Sequence, residues 1–194
     1  MGGGMESDRI KWDQRYGGEE YLFSLTPSKF LANTMELVCS LAPGRRALDL
    51  ACGEGRNSIY LAQNGFEVSA VDISDKGLER GRKRAAQLGV RVEFIQADLE
   101  AWRPQGVYHL IVNFNFLMRP LIPCMVASLA PGGVVVMETI LDTPELQGMH
   151  TKDYLLQPGE LERLFSGLGG KILLFEEESA VESPVARVLF QKQI

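Results

Sequence analysis

Ala47-Leu48-Asp49-Leu50-Ala51-Cys52-Gly53-Glu54-Gly55-Arg56-Asn57-Ser58 decides the fold. It opens as a short apolar run, passes through a turn with two glycines and flows into a helical segment. Leu48 and Leu50 point to one side of a buried strand, and Ala47 and Ala51 are small enough for neighbours to crowd in. Gly53 and Gly55 can take backbone angles closed to other residues, and they let a ligand lie against bare main chain. The helix from about Arg56 presents its first unpaired amides to whatever occupies the turn. Strand, glycine loop, helix is the nucleotide-binding corner of a doubly wound α/β domain.

The next apolar run, Glu67-Val68-Ser69-Ala70-Val71-Asp72, alternates and ends on a carboxylate. Asp72 stands near the spacing at which such a group accepts hydrogen bonds from ribose hydroxyls. By itself it reads equally as a helix cap or a solvated turn residue; behind a glycine loop the ribose reading is the stronger. The usual dinucleotide fingerprint carries a third glycine three positions after the second, and here that position is Ser58.

The remaining chain alternates strand and helix signals. Residues 10–25 are rich in aromatic and charged side chains without clean periodicity, as in a lid over a site or an arm covering a core. Pro27 and Ser28 start a helix that Pro43-Gly44 stops. Asn64-Gly65 ends the helix after the glycine loop, and Ser74 or Asp75 caps the next, which stops at Gly89. Strands follow at 90–97, 108–114 and 134–139. Residues 142–157 form a long connection of the kind that usually has a task. A helix opens at Pro158-Gly159. Strands 171–175 and 185–192 are separated by too little chain for a crossover, so they pair as an antiparallel hairpin. The expectation is an α/β, Rossmann-like, seven-stranded, mostly parallel sheet. Five strand–helix units put helices on both faces and a C-terminal antiparallel hairpin closes it. Residues 1–9 read as a flexible tail and 10–194 as a single domain, with 10–26 a lid arm and 142–157 a loop on the acceptor side.

The chain has 194 residues, 45% hydrophobic and 23% charged, which suits one globular domain with its own core. A net charge of −5 argues against a broad polyanion-binding surface. The dense basic run Arg80, Arg82, Lys83, Arg84 is most simply a solvated helix face. Three widely spaced cysteines, Cys39, Cys52 and Cys124, suggest neither a disulfide frame nor a zinc site. Cys52 invites a nucleophile reading, but no histidine follows nearby to activate it, so a small turn-filling residue is the better account. His109 and His150 are too few for a metal cluster. No signal peptide and no bilayer-spanning apolar run is visible, so the expected compartment is the cytoplasm, with no membrane partner.

The arrangement Asp49-x-Ala51-x-Gly53-x-Gly55 resembles the first motif of class I S-adenosylmethionine-dependent methyltransferases. The likeness extends through Trp12-Asp13-x-Arg15-Tyr16, Pro27, Asp72, Asp98-Leu99, Leu129-Ala130-Pro131-Gly132-Gly133 and Tyr154-Leu155-Leu156-x-Pro158-Gly159-Glu160-Leu161. These point to the small single-domain branch that includes tellurite-resistance and thiopurine-type enzymes. One departure is His109, where the family often has Asp.

The resemblance implies a cofactor, S-adenosylmethionine, and places it. Main chain at Ala51, Gly53 and Asn113 surrounds the methionine part, and Gly55, Arg56, Asn57 and Phe114 are further cofactor-binding candidates. Asp49 anchors the ammonium directly or through water. Asp72 holds the ribose, Ile73 and Leu99 cover the two adenine faces, and Asp98 accepts from the adenine amino group. Core packing is the plain alternative for Ile73 and Leu99, and a cap or turn for Asp98. Tyr16 reaches the cofactor carboxylate or the acceptor. Tyr21, Phe116 and Tyr154 are further candidates for the acceptor side.

Three residues are candidates for catalysis: Tyr16, Arg119 and His150. Arg119 either steers an anionic acceptor or is a surface residue ahead of a helix. His150 is a base or an exposed loop residue. A sulfonium leaving group needs little acid catalysis, and a soft thiol, selenide or telluride needs little base. The expected function is therefore in-line methyl transfer to a small-molecule acceptor, at a soft heteroatom. A protein that binds S-adenosylmethionine or S-adenosylhomocysteine without turnover, as sensor or partner subunit, is the alternative. A nicotinamide-dependent oxidoreductase is disfavoured by Ser58 and by the final hairpin. A nucleic-acid substrate is disfavoured by charge. Oligomeric state and acceptor identity stay open.

Overall fold

The computed structural model describes residues 3–146, 152–179 and 183–194. Its elements are α1 (Gly3–Tyr16), α2 (Lys29–Leu41), β1 (Arg46–Leu50), α3 (Arg56–Gln63), β2 (Glu67–Asp72), α4 (Asp75–Gln87), β3 (Val92–Gln96) and β4 (Tyr108–Phe114). These are followed by α5 (Leu121–Ala127), β5 (Leu129–Ile140), α6 (Glu160–Phe165), β6 (Gly170–Glu178) and β7 (Val185–Lys192). Short 3₁₀ turns occupy Pro144–Leu146 and Lys152–Tyr154.

The strands form one sheet in the order β3-β2-β1-β4-β5-β7-β6. Strands β1 to β5 run parallel; β7 pairs antiparallel with both β5 and β6. The chain leaves β1 toward one edge and returns at β4 toward the other, so the switch point lies between β1 and β4. There the carboxyl ends of two neighbouring strands diverge into loops and leave a crevice.

Alternation along β1 explains the layers. Leu48 and Leu50 join Ile111, Val135, Met137, Val188 and Phe190 under α5 and α6. Ala47 joins Leu110, Val112, Val134, Val136 and Leu189 on the opposite face, under α2 and α3. Both faces of the central strands are covered, as their continuous apolar runs require. His109 accepts a hydrogen bond at Nδ1 from the Arg46 amide at 3.1 Å, and Gly44 packs against its ring. It staples the start of β1 to β4, far from the crevice.

Three expectations change. The unit between β3 and β4 has no helix. One turn closes through Trp102 N to Asp98 O at 2.7 Å, and Pro104 and the positive φ of Gly106 then divert the chain into β4. Glu176, Glu177 and Glu178 belong to β6 rather than to a turn. The segment 3–9, expected as a tail, is part of α1, whose surface carries Arg9 bonded to Glu6 at 2.6 Å and to Asp13 at 2.8 Å. Its cavity-lining residues, Asp8, Lys11, Trp12, Arg15 and Tyr16, recur at helical spacing but are mostly charged, so no apolar period marks the helix.

The joint between β1 and α3 is polar. Asp49 is 1% exposed, and its Oδ2 accepts from Ser58 Oγ at 2.5 Å. Burial pushes this carboxyl up to about 7, against the pull of the Ser58 hydrogen bond. An acid whose folded-state pKa exceeds its unfolded value holds its proton more tightly when folded. Asp49 therefore favours the fold most below about pH 4, and this contribution is lost as pH rises toward about 7. Thermal midpoints between about pH 5 and about pH 8 should fall more steeply for the parent chain than for Asp49→Asn. Parallel profiles would contradict this placement of the charge.

Candidate active site

The glycine loop reaches its shape through three left-handed residues. Ala51, Gly53 and Gly55 have φ of 55°, 54° and 73°. Ala51 tolerates this angle at a cost of roughly 1–2 kcal/mol, and its small side chain adds no further crowding. The bend is closed by Cys52 N to Val71 O at 3.0 Å and by Gly55 N to Cys52 O at 2.9 Å. Gly53 N donates to Asp72 Oδ2 at 2.8 Å, and Ser74 N donates to Asp72 Oδ1 at 2.9 Å. Asp72, at the end of β2, is thus fastened to the loop that leaves β1. It is 7% exposed; burial pushes its carboxyl up while the Ser74 and Gly53 amides pull it down.

A cavity of about 1030 Å³ opens beyond these strand ends. Tyr16, Asp49, Ala51, Gly53, Arg56, Asn57, Asp72, Ile73, Asp98, Leu99, Phe114 and Arg119 all line it. Gly55 does not; it caps α3 beneath the Phe94 ring. Asn113 does not either. It is buried and donates from Nδ2 to Leu50 O at 3.2 Å, tying β4 to β1 at the switch point. His150 lies outside the described residues. Asp98 accepts from Glu100 N at Oδ1 at 2.9 Å, and its buried Oδ2 has no hydrogen-bond partner among the described residues. An unpaired buried carboxylate oxygen costs free energy that a donor entering the cavity would recover.

Helix α1 forms the cavity's other wall through Asp8, Lys11, Trp12, Arg15 and Tyr16. Tyr16 is 5% exposed, and its hydroxyl lies 2.5 Å from where a Cβ on Gly53 would sit. Its ring stacks on Trp12, with centroids 5.7 Å apart, and Arg15 lies over Trp12 at 4.6 Å. Burial first, then the charges of Asp72 and Glu54, drives the Tyr16 phenol further up from its ordinary value. Tyr16 is therefore a neutral hydrogen-bonding group, not a phenolate base. Asp8, Lys11 and Glu100 escape a reading of the sequence by motif; the helical spacing 8, 11, 12, 15, 16 is the signal that finds the α1 stripe.

Arg119, a candidate either for steering an acceptor or for a surface residue ahead of a helix, is bonded to its own frame. Nε and Nη2 hold Glu160 at 2.6 and 3.0 Å, while Nη1 and Nη2 hold the carbonyls of Asp153 and Leu155 at 2.7 and 2.9 Å. Most of its donors are committed, so it clamps the loop before α6 against the α5 side. Glu138 likewise serves the frame, accepting from Ser28 Oγ at 3.1 Å and Arg187 Nε at 2.6 Å. Phe116 and Tyr154 line the cavity; Tyr21 instead lies 4.4 Å under the Arg80 guanidinium. Burial, then the charges of Asp72 and Asp49, pushes the Cys52 thiol well up, which disfavours a thiolate nucleophile. Among the described residues no cluster of three or more His, Cys, Asp or Glu side chains is placed to hold a metal, and no helix is long and apolar enough to cross a membrane.

The sequence profile of a methyltransferase domain matches residues 47–133. The chain is 28% identical over 149 residues to the ubiquinone biosynthesis O-methyltransferase of Bordetella avium, covering 65% of this chain and 61% of that protein. It thus spans less than two thirds of that relative's length. TehB from Haemophilus influenzae superposes with a TM-score of 0.70 at 18% identity, covering 95% of this chain and 67% of that one. Magnesium protoporphyrin IX methyltransferase (ChlM) from Synechocystis PCC 6803, with bound SAH, gives 0.69 at 18%, covering 98% and 95%. At such identities the superpositions speak for the fold. The matched segment, a little under half of the chain, itself contains the glycine loop, Asp72 and Asp98, so the part of the chain that builds the crevice is similar to a methyltransferase domain.

Proposed function

We propose that this chain transfers a methyl group from S-adenosylmethionine to a small-molecule acceptor at a soft heteroatom. The observation that carries the reading is the pair of carboxylates at the cavity. Asp72 is held against bare glycine backbone, and Asp98 Oδ2 is buried without a partner among the described residues. A nucleoside fits that pair: Asp72 keeps lone pairs for two ribose hydroxyls, and Asp98 accepts from an exocyclic amine. Ile73 and Leu99 flank the space between them as apolar walls. Asp49 and the turned main chain at Ala51 and Gly53 suit an ammonium-bearing tail, which would favour the ionised carboxyl of Asp49. Tyr16 closes this end as a neutral donor.

The cofactor, when bound, supplies a methyl on sulfonium whose leaving group is a neutral thioether. What remains for the chain is to align an acceptor and exclude water, and alignment alone can supply roughly 7–11 kcal/mol. Trp12, Phe116, Met118 and Tyr154 line the cavity and give an acceptor apolar contacts. The described lining contains no histidine, Tyr16 is held neutral and Cys52 is held as a thiol. That set suits an acceptor that reaches the site already nucleophilic, as thiolates, selenides and tellurides do. The carboxylates of Asp8, Glu100 and Asp153 at the cavity disfavour a nucleic-acid acceptor. Free cysteines at 39, 52 and 124 accord with a reducing cytoplasm.

Incubating the full chain with S-adenosylmethionine and a panel of small thiols, selenides and metalloid oxyanions should yield methylated product by mass spectrometry. Cofactor binding with no product from any acceptor would make this a binding protein and refute the proposal. Asp72→Ala should weaken S-adenosylhomocysteine binding on the order of 100-fold by calorimetry, as expected for two charge-assisted hydrogen bonds of about 1.5 kcal/mol each. Cooperative thermal unfolding, measured alongside, separates this loss from misfolding; unchanged affinity would contradict the placement of the ribose.

A further inference from the structure

We infer that Arg80 is a positioning residue that, through Glu54, fixes the arm after α1 over the glycine loop and so sets the Tyr16 hydroxyl above Gly53. The inference rests on the reading of the cavity as the cofactor site. Arg80 stands on α4 and is not part of the cavity lining, whereas Glu54 sits between the two glycines of the loop.

Segment 17–28 contains no helix or strand, so its backbone groups need partners from elsewhere. Arg80 and Glu54 supply partners for four of them, and Arg80 also holds the Tyr16 carbonyl at the end of α1. Arg80 Nη1 donates to Tyr16 O at 2.9 Å and Gly18 O at 3.0 Å, and Nη2 donates to Glu19 O at 3.4 Å. Glu54 Oε2 accepts from Leu22 N at 3.0 Å and Phe23 N at 3.4 Å. The two side chains face each other, with Arg80 Nε 3.0 Å from Glu54 Oε1, at 15% and 6% exposure. This is an ion pair rather than an aligned hydrogen bond, since Oε1 has no such partner among the described residues. The guanidinium also covers the Tyr21 ring.

The glycines of α4 make the reach possible. A Cβ on Gly77 would lie 3.1 Å from Gly53 O and from the Tyr16 ring, and one on Gly81 would lie 3.1 Å from Glu54 O. The helix therefore lies directly on the loop, with Arg80 between its two contact points. A second tie fixes α1 one turn earlier: Asp13 Oδ1 accepts from Ser74 Oγ at 2.7 Å and Lys76 N at 3.3 Å, at the start of α4. The loop, α4 and α1 are thus joined through charged groups, and the joint ends at the Tyr16 hydroxyl. A cofactor in the crevice would lie beneath that joint, so its dissociation would require the arm to lift.

Lysine keeps the charge beside Glu54 but lacks the planar fork that spans three carbonyls. S-adenosylhomocysteine affinity and dissociation rate are measured by calorimetry and stopped flow for full chains carrying Arg80→Lys, Tyr16→Phe and both. The expected result is an affinity loss of about ten-fold or more for Arg80→Lys, mainly from faster dissociation, and less than about two-fold further loss when it is added to Tyr16→Phe. Unchanged affinity in Arg80→Lys, or losses that simply multiply in the double variant, would overturn the inference. Failure of the parent chain to bind would remove the cofactor reading itself, and this inference with it. Should Arg80→Lys not fold, Glu54→Gln keeps an acceptor for Leu22 and Phe23 while removing the charge, and the same non-multiplying loss is expected.

Discussion

The hydrogen bond from the Gly53 amide to Asp72 ties together loops that leave two different strands. Strands β1 and β2 are parallel neighbours, so their carboxyl ends arrive side by side. The loop after β1 must then turn back on itself to enter α3, and it does so with three residues in the left-handed region. That turn aims an amide at the carboxylate closing β2. Burial alone would favour a neutral Asp72; the amides of Gly53 and Ser74 oppose this and hold its oxygens in place. Glycine is required at this bend for angle and for space, since the Tyr16 hydroxyl occupies the position of a Gly53 side chain.

The same constraint organises the layers above. Helix α4 begins three residues past Asp72 and lies on the loop through Gly77 and Gly81. Helix α1 is tied to α4 by Asp13 and by the Tyr16 carbonyl, so the crevice is walled by an element far from it in sequence. The wall is chemically quiet: Tyr16 is a neutral phenol, Cys52 a neutral thiol, and the Arg119 guanidinium is largely occupied with Glu160 and two carbonyls. Such a site is built to hold and enclose, and methyl transfer from a sulfonium asks for little more.

Several features could be read from the chain because one physical rule dominates each. β1, β2 and β5 show as apolar runs, and the hairpin shows because the gap between its strands excludes a crossover. Asp72 shows because it ends a strand after a glycine loop. Elsewhere a local signal loses to its surroundings. Helix α1 faces its neighbours with charge, so no apolar period reveals it. Asn113 stands at a strand end but is buried outside the cavity lining, and its side chain ties β4 to β1 through Leu50 O. Gly55 shares the loop with Gly53 but turns under Phe94. Arg80 lies in a basic run that reads as a solvated face, and Arg119 looks free. Their partners, Glu54 and Glu160, are distant in sequence, and only folding brings them together.

A structure of the full chain with S-adenosylhomocysteine bound tests the central claim most directly. The account predicts both ribose hydroxyls on the Asp72 carboxylate, the adenine amino group at Asp98 Oδ2, and the sulfur directed toward the space lined by Trp12, Phe116 and Tyr154. A ligand bound away from Asp72, or a crevice that takes a nicotinamide dinucleotide in its place, would contradict it.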